Sequence, residues 1–540
     1  MGIYNPSRCS HDNCPYYTTC NQQGNIIKTI SNKRKVKRIA EKNYYSLEEA
    51  VAELKQSLEQ AYRSIGSGIH LIKAQTSIGK TTQYIDLIAK HPESKFLIAL
   101  PTNILKKQVK EDLVGAGIPK EDIFMTVSLS DDFMFRNEWE IVKKAYKRGD
   151  YSKKKKVLEK LYNGIKDDIN KKAYAELCKK HIDGISALKD ERVLVTTHAF
   201  LFHISEDVLS RYIVIIDEDI LLQHVFSQTH EIRVSILENV IEQNIPEISN
   251  IANYVMNYPM NKYGQLAIEC NFSNLTEEQM DELGCCWDDN INDLKHAKSF
   301  VRIKEEISDI EKIKYFCPFD FPKLKYIILS ATVNANIYQQ YFYGLLPVYF
   351  YPVKMAKYKG KVIQYTYHSL GRRDLSAKMQ VFDIARKKAN NNNKLEIITF
   401  KEGISIKNVA NMNSFGLYYG NTMGINALSG KDIGIIGTPY KTEDAYKLIA
   451  CFLGADVNAD KDNRPRPRRV EYNGYSFYIT TYQDKILKEI QLYNLESELE
   501  QAIGRARLLR HSCNVYVFSS FPCEQAELHM ENYLIDGEIE

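Results

Sequence analysis

Ala74-Gln75-Thr76-Ser77-Ile78-Gly79-Lys80-Thr81 is the stretch that decides the fold of this chain. The apolar residues 70–72 precede it with the look of a buried strand, and residues 82–89 follow it with helical spacing. An octet of this composition between a strand and a helix is the setting in which a loop wraps phosphates. The chemistry follows from the residue types. Backbone N–H groups of the loop and of the helix amino terminus would face anionic oxygens, and Gly79 allows close approach. Lys80 is predicted to reach the β and γ phosphates and the Thr81 hydroxyl to bind Mg²⁺. Ala74, Thr76, Ser77, Ile78 and Thr82 complete the expected nucleotide contacts. Ala74 departs from the glycine that usually opens such a loop.

Outward from this loop, short apolar runs at residues 96–100, 193–195, 212–216 and 326–329 read as buried parallel strands. A second set follows at 395–399, 433–436 and 515–518. Helical patterns lie between them, so the predicted class is α/β with sheets covered on both faces. A chain of 540 residues is too long for one core. We assign residues 41–345 to a first domain and 346–540 to a second, with 349–361 as the linker. Residues 131–191, lysine-rich and helical in pattern, and 229–322, mostly helical, read as insertions in the first domain. Residues 1–40 form a short cysteine-containing amino-terminal segment.

The run at 212–216 ends directly in Asp217-Glu218-Asp219-Ile220. Parallel strands present ligands at their carboxyl ends. There Asp217 is predicted to hold Mg²⁺ through water and Glu218 to orient and deprotonate an attacking water.

With these, the order of several further motifs resembles the superfamily 2 DEAD/DEAH-like helicases over roughly residues 71–522. Pro101-Thr102-Asn103 and Thr196-Thr197-His198 look like motifs that contact nucleic acid, and Ser330-Ala331-Thr332 like the one that couples hydrolysis to domain movement. Gly420-Asn421-Thr422-Met423-Gly424-Ile425-Asn426 and Gly437-Thr438-Pro439 lie where the fifth motif belongs. There the resemblance implies a nucleotide contact at Gly424 and a strand contact at Thr438. Gln501-Ala502-Ile503-Gly504-Arg505-Ala506-Arg507 resembles the sixth. Around residues 500–510 and 515–522 the sequence looks most like helicases of phages and integrative mobile elements.

The resemblance implies two tandem RecA-like domains that hydrolyse ATP with Mg²⁺ between them while moving along or unwinding a nucleic acid. DNA is favoured over RNA, replication or maintenance of a mobile element is the implied setting, and replication proteins are the implied partners. Lys80, Asp217, Glu218, Gln501 and Arg505 would be catalytic. The alternative is a nucleic-acid-binding ATPase that acts as a clamp or assembly switch without strand separation. Four positions depart from the family pattern: Ser77 replaces a usual Gly, Ile220 the usual Asp or His, Met423 a frequent Arg, and Leu508 the second Arg of the sixth motif. Gln501 and Arg505, four apart, would share a helix face from which Arg507 is turned away. Arg505 is therefore the expected arginine finger, with Arg507 and Arg510 as substitutes.

A net charge of +4 is too small to imply a polyanionic partner by itself, so the distribution matters. Lys143, Lys144, Lys147, Arg148, Lys153, Lys154, Lys155, Lys156 and Lys160 form one basic stretch, and Arg464, Arg466, Arg468 and Arg469 another. Each reads either as a phosphate grip or as a solvated face. Cys9, His11, Cys14 and Cys20 fit a zinc site or free thiols, and less well an iron–sulfur cluster. Adjacent Cys285 and Cys286 read as packed. Eleven scattered cysteines fit reduced thiols, and no apolar run approaches the ~18 residues of a membrane span. The polar amino terminus lacks the apolar core of a secretory signal, so a cytoplasmic protein is expected.

Overall fold

The computed structural model describes residues 36–126, 151–187, 191–245, 248–266, 275–276, 279, 282–283, 291–305, 308–376, 378–392, 394–401, 414–421, 427–459 and 463–534. After a two-residue strand, β1 (Lys37–Arg38), comes helix α1 (Leu47–Arg63). Its start is fixed by a capping box in which Ser46 and Glu49 each accept the other's backbone N–H. Ala50, Leu54, Leu58 and Ala61 then line one buried face.

Next come β2 (Gly68–Lys73), α2 (Lys80–Lys90), β3 (Phe96–Leu100), α3 (Asn103–Gly115) and β4 (Ile123–Met125). Helices α4 (Tyr151–Ile165) and α5 (Lys172–Ala187) pack on each other before β5 (Val193–Thr197) and β6 (Ile213–Asp217). An inserted module carries β7 (Thr229–Arg233), α6 (Val234–Glu242), α7 (Ile248–Asn257), β8 (Tyr263–Gln265), β9 (Ser299–Lys304) and β10 (Glu311–Phe316). The chain then returns through β11 (Lys325–Ser330), α8 (Ala335–Tyr341) and β12 (Val348–Pro352).

Seven strands form a wholly parallel sheet in the order β12-β2-β11-β6-β3-β5-β4. Alternation along each strand divides its side chains between two cores. Ile72, Ile98, Ile215 and Ile327 face the side covered by α1 and α2, whereas Leu71, Leu97, Val214 and Ile328 face the other. That double burial makes these strands read as continuous apolar runs.

The second sheet is built from β13 (Lys361–Tyr365), β14 (Glu396–Ile398), β15 (Ile433–Ile436), β18 (Asn514–Phe518) and β19 (Ala526–His529). It too is parallel, in the order β14-β15-β18-β13-β19. Between β13 and β14 lies α9 (Val381–Lys388), and after β15 come α10 (Glu443–Phe452), a hairpin of β16 (Arg466–Tyr472) and β17 (Tyr475–Thr481), and α11 (Lys485–Gly504). β1 adds antiparallel to β17. Arg466, Arg468 and Arg469 lie on β16, where the Arg469 Nε donates to Ser476 Oγ at 2.7 Å. The α/β class with two parallel sheets is the one read from the sequence.

Two expectations are corrected. Among the described residues of 229–322 a four-stranded antiparallel sheet, β7-β10-β9-β8, stands beside α6 and α7, so this insertion is mixed and not helical alone. Its strands are short and partly solvated, and in β10 charged residues alternate with buried ones, which hides them from a search for apolar runs. Residues 349–352 are not linker, because β12 pairs with β2 at the sheet edge, where a terminal Pro352 breaks no ladder.

The two parallel-sheet units meet in one continuous core. Tyr338, Tyr341 and Phe342 pack with Tyr446, Tyr482, Leu487 and Tyr493. The inserted sheet grips α10 as well: Ser299 Oγ donates to the Leu448 carbonyl at 2.7 Å, and Asp444 accepts from Tyr263 and Lys314, each at 2.8 Å. Among the described residues, no helix is long and apolar enough to cross a membrane.

Candidate active site

Strand register brings three motifs side by side. β11 lies between β2 and β6, with Ser330 opposite Lys73 and Leu329 opposite Asp217. The 74–81 loop, the Ser330-Ala331-Thr332 turn and the acidic turn therefore leave the sheet at one level. Backbone bonds continue the ladder past the strand ends: Ala74 N donates to Ser330 O at 2.9 Å, and Glu218 N to Leu329 O at 2.8 Å.

Within the loop, Gly79 caps α2 with φ 109, a backbone state that favours glycine. Ser77 has φ 63, so the serine standing where a glycine is usual occupies the left-handed region itself. Lys80 is buried and turns back onto the loop, donating to the carbonyls of Ala74 and Gln75 at 3.3 and 3.4 Å. These long contacts leave an ammonium inside a ring of backbone, suited to exchange for phosphate oxygens. Thr81 Oγ1 donates to Asp217 Oδ2 at 3.2 Å, and Tyr84 OH reaches the same oxygen at 3.2 Å. A hydroxyl and a carboxylate at hydrogen-bond distance form the hard oxygen set that suits Mg²⁺.

Burial and then the neighbouring Glu218 push the Asp217 carboxyl up to about 6, against the opposing pull of Lys80. Glu218 has φ 79, and its carboxylate accepts from Ser330 Oγ at 3.4 Å. Behind it, His198 Nε2 donates to the Asp217 carbonyl at 2.9 Å. Burial drives that imidazole down to about 3, so it is neutral.

The second domain meets this loop through the end of α11. A Cβ on Gly504 would stand 2.8 Å from Thr76 Cβ, so only glycine permits this contact. Lys73 pairs with Glu496 at 3.2 Å, and Gln501 is buried with its Nε2 on Ser497 Oγ at 3.4 Å. Arg505 caps α11 and bonds the Gln501 carbonyl at 3.3 Å; burial lowers its guanidinium pKa, against the opposing pull of the Glu218 charge. Arg510, treated in sequence only as a substitute, reaches the loop itself: its Nε donates to Ser77 O at 3.3 Å and its Nη2 to Ile78 O at 3.4 Å. α11 ends at Gly504 and Arg507 has φ 56, so Arg507 stands beyond the helix and has no helical face.

The expected strand contacts divide. Pro101, Thr102 and Thr197 are half-buried and Asn103 is exposed, with Thr102 and Thr197 capping the helices that follow β3 and β5. Thr196, His198 and Thr438, by contrast, are buried and bonded inside the fold. Thr196 Oγ1 lies 3.1 Å from Thr126 Oγ1, and Thr438 Oγ1 bonds the Ser369 carbonyl and lies 2.9 Å from Ser519 Oγ. Their hydroxyls hold strand ends in place. Gly424, Cys9, His11, Cys14, Cys20, Cys285, Cys286 and the stretch Lys143 to Arg148 lie outside the described residues. Sequence reading missed Tyr84, although its position four residues after Lys80 puts it on the same face of α2.

No protein-family model and no curated protein matches this sequence. Among solved structures the chain is similar to one titled XPD_Helicase, at 16% identity and a TM-score of 0.49, over 88% of this chain and 95% of that one. It is similar to S. tokodaii Xpd4 at 12% identity and a TM-score of 0.42, over 88% and 95%. The DUF1998 helicase MrfA bound to DNA matches at 13% identity and a TM-score of 0.34, over 93% of this chain and 54% of that one.

Proposed function

We propose that this chain is an ATP hydrolase whose turnover drives a helicase or translocase along a nucleic acid. The observation that carries the proposal is the convergence of Lys80, Thr81, Asp217 and Glu218 at adjoining strand ends, covered by Arg505 and Arg510 from the second domain. Lys80 exchanges its carbonyl contacts for the β and γ phosphates, Thr81 and Asp217 would hold Mg²⁺, Glu218 takes a proton from the water that attacks the γ-phosphorus as ADP leaves, and arginine charge from the second domain steadies the transferring phosphoryl group. Bound there, Mg²⁺ would neutralise charge on the phosphate oxygens. Opening and closing of the cleft steps the strand past Pro101, Thr102, Asn103 and Thr197, whose backbone contacts give little base preference. DNA as the strand, and a mobile element as the setting, rest on the sequence resemblance to helicases of phages and integrative elements.

A second reading is an ATP-dependent clamp, and one observation favours it. The inserted sheet and α10 are joined by hydrogen bonds and an ion pair, which resist wide opening of the two domains. Strand displacement separates the readings. The motor unwinds tailed DNA or RNA duplexes of one polarity in the presence of ATP, whereas the clamp binds and hydrolyses with no displacement on any substrate.

A further inference from the structure

Asp219, the third acidic residue of the turn, has no role in the proposal above, yet it is fully buried. Its Oδ1 accepts the N–H groups of Leu221 and Leu222 at 3.2 and 3.4 Å, and the Tyr338 hydroxyl at 2.9 Å. Its Oδ2 accepts the Tyr493 hydroxyl. Tyr338 belongs to α8 in the first domain, just beyond Thr332, whereas Tyr493 belongs to α11 in the second. One carboxylate thus ties the acidic turn to both domains.

On α11, Tyr493, Ser497, Gln501 and Arg505 recur every four residues and therefore form one stripe. Each has a partner that leads toward the site. Tyr493 holds Asp219, Ser497 Oγ accepts from Thr332 Oγ1 at 3.0 Å, Gln501 bonds Ser497, and Arg505 ends the stripe within the field of Glu218.

We propose that Asp219 is a positioning residue that couples the seating of α11 to the orientation of Glu218. The inference rests on the ATPase reading of this site. With α11 seated, Tyr493 completes the hydrogen bonding of a buried carboxylate, and the turn that begins at Glu218 is held with its left-handed backbone. When α11 withdraws, Asp219 Oδ2 loses the Tyr493 hydroxyl, and a buried acceptor left unsatisfied relaxes the turn. Glu218 is then aligned only while the second domain is in place.

Two variants test this because they remove equivalent groups from the same carboxylate. Tyr493→Phe cuts the bond across the domains, and Tyr338→Phe cuts the bond within the first. Both lower thermal stability, as a lost buried bond does. Tyr493→Phe is expected to reduce single-strand-stimulated kcat roughly tenfold, the rate equivalent of one such bond, with KM for ATP nearly unchanged. Tyr338→Phe is expected to retain stimulated kcat. Equal effects on kcat, or wild-type stimulation in Tyr493→Phe, overturn the coupling. Should Tyr493→Phe fail to fold, Ser497→Ala breaks the next contact of the stripe and is expected to lower stimulated kcat in the same sense; unchanged kcat overturns the proposal. Wild-type protein with no ATP turnover that Lys80→Ala abolishes overturns the ATPase reading, an outcome distinct from turnover that ignores Tyr493.

Discussion

On the first-domain side of the cleft, Lys80, Thr81 and Asp217 stand within hydrogen-bond range of one another or of a shared loop, held by the ends of β2 and β6. On the second-domain side, Arg505, Arg507 and Arg510 leave α11 at its end, where the helix gives way to a turn with a left-handed residue at Arg507. The first half is built from local geometry: a strand, a loop with two positive-φ residues, and a helix start. The second half depends on where one domain docks on the other. What the contrast teaches is that the first half should tolerate no change of chemistry, and the second should respond to whatever moves the domains.

The largest expected effect is in the first half. Lys80→Ala should lose ATP turnover by roughly three orders of magnitude or more with little change in thermal stability, because its ammonium acts on phosphate charge and makes only long contacts to the loop. Turnover within a few-fold of wild type in ATPase-free protein breaks the assignment of this half. Glu218→Gln comes next, with a loss of about 10²- to 10⁴-fold in kcat while Mg²⁺-dependent ATP binding persists. If equilibrium binding measurements show that ATP affinity falls in parallel with kcat, Glu218 is a binding residue and not the base.

How far each half was legible follows from the same contrast. The strands of both parallel sheets were readable because burial on two faces writes apolar runs into the sequence. So was the placement of the 74–81 loop and the acidic turn, each set by one strand end. The four-stranded inserted sheet was not, since its solvated strands lack that signature. Nor was the contact of Arg510 with Ser77 and Ile78, which joins residues more than four hundred apart. The internal partners of Thr196 and Thr438 were hidden for a related reason. A hydroxyl at a strand end suits a phosphate contact, but only packing shows that each already has a partner inside the fold.

Smaller effects sharpen these points. Thr196→Val and Thr438→Val should each lose about 1–3 kcal/mol of stability by leaving buried partners unsatisfied, with nucleic-acid affinity of the folded protein unchanged. A selective loss of strand affinity at full stability would instead make them strand contacts. At Ser77, Gly should keep turnover and shift stability by no more than about 1 kcal/mol, because relief of a left-handed serine is offset by the freer unfolded chain. Ser77→Val should cost about 1–3 kcal/mol, since a β-branched residue resists that backbone state. Thermal melts that rank Val at or above Gly would mean the loop does not hold φ 63 in solution.

The central claim is that the second domain completes an ATP site begun by the first. Its most direct test is single-turnover hydrolysis of ATP, alongside equilibrium ATP affinity, in Arg505→Ala and Arg510→Ala. Arginine charge supplied across a cleft stabilises the transition state and adds little to ground-state binding. The account predicts that at least one of the two variants loses roughly 10³-fold or more in hydrolysis with ATP affinity changed only a few-fold. Hydrolysis at the wild-type rate in both variants, and in the double variant, would contradict it and leave a site confined to the first domain.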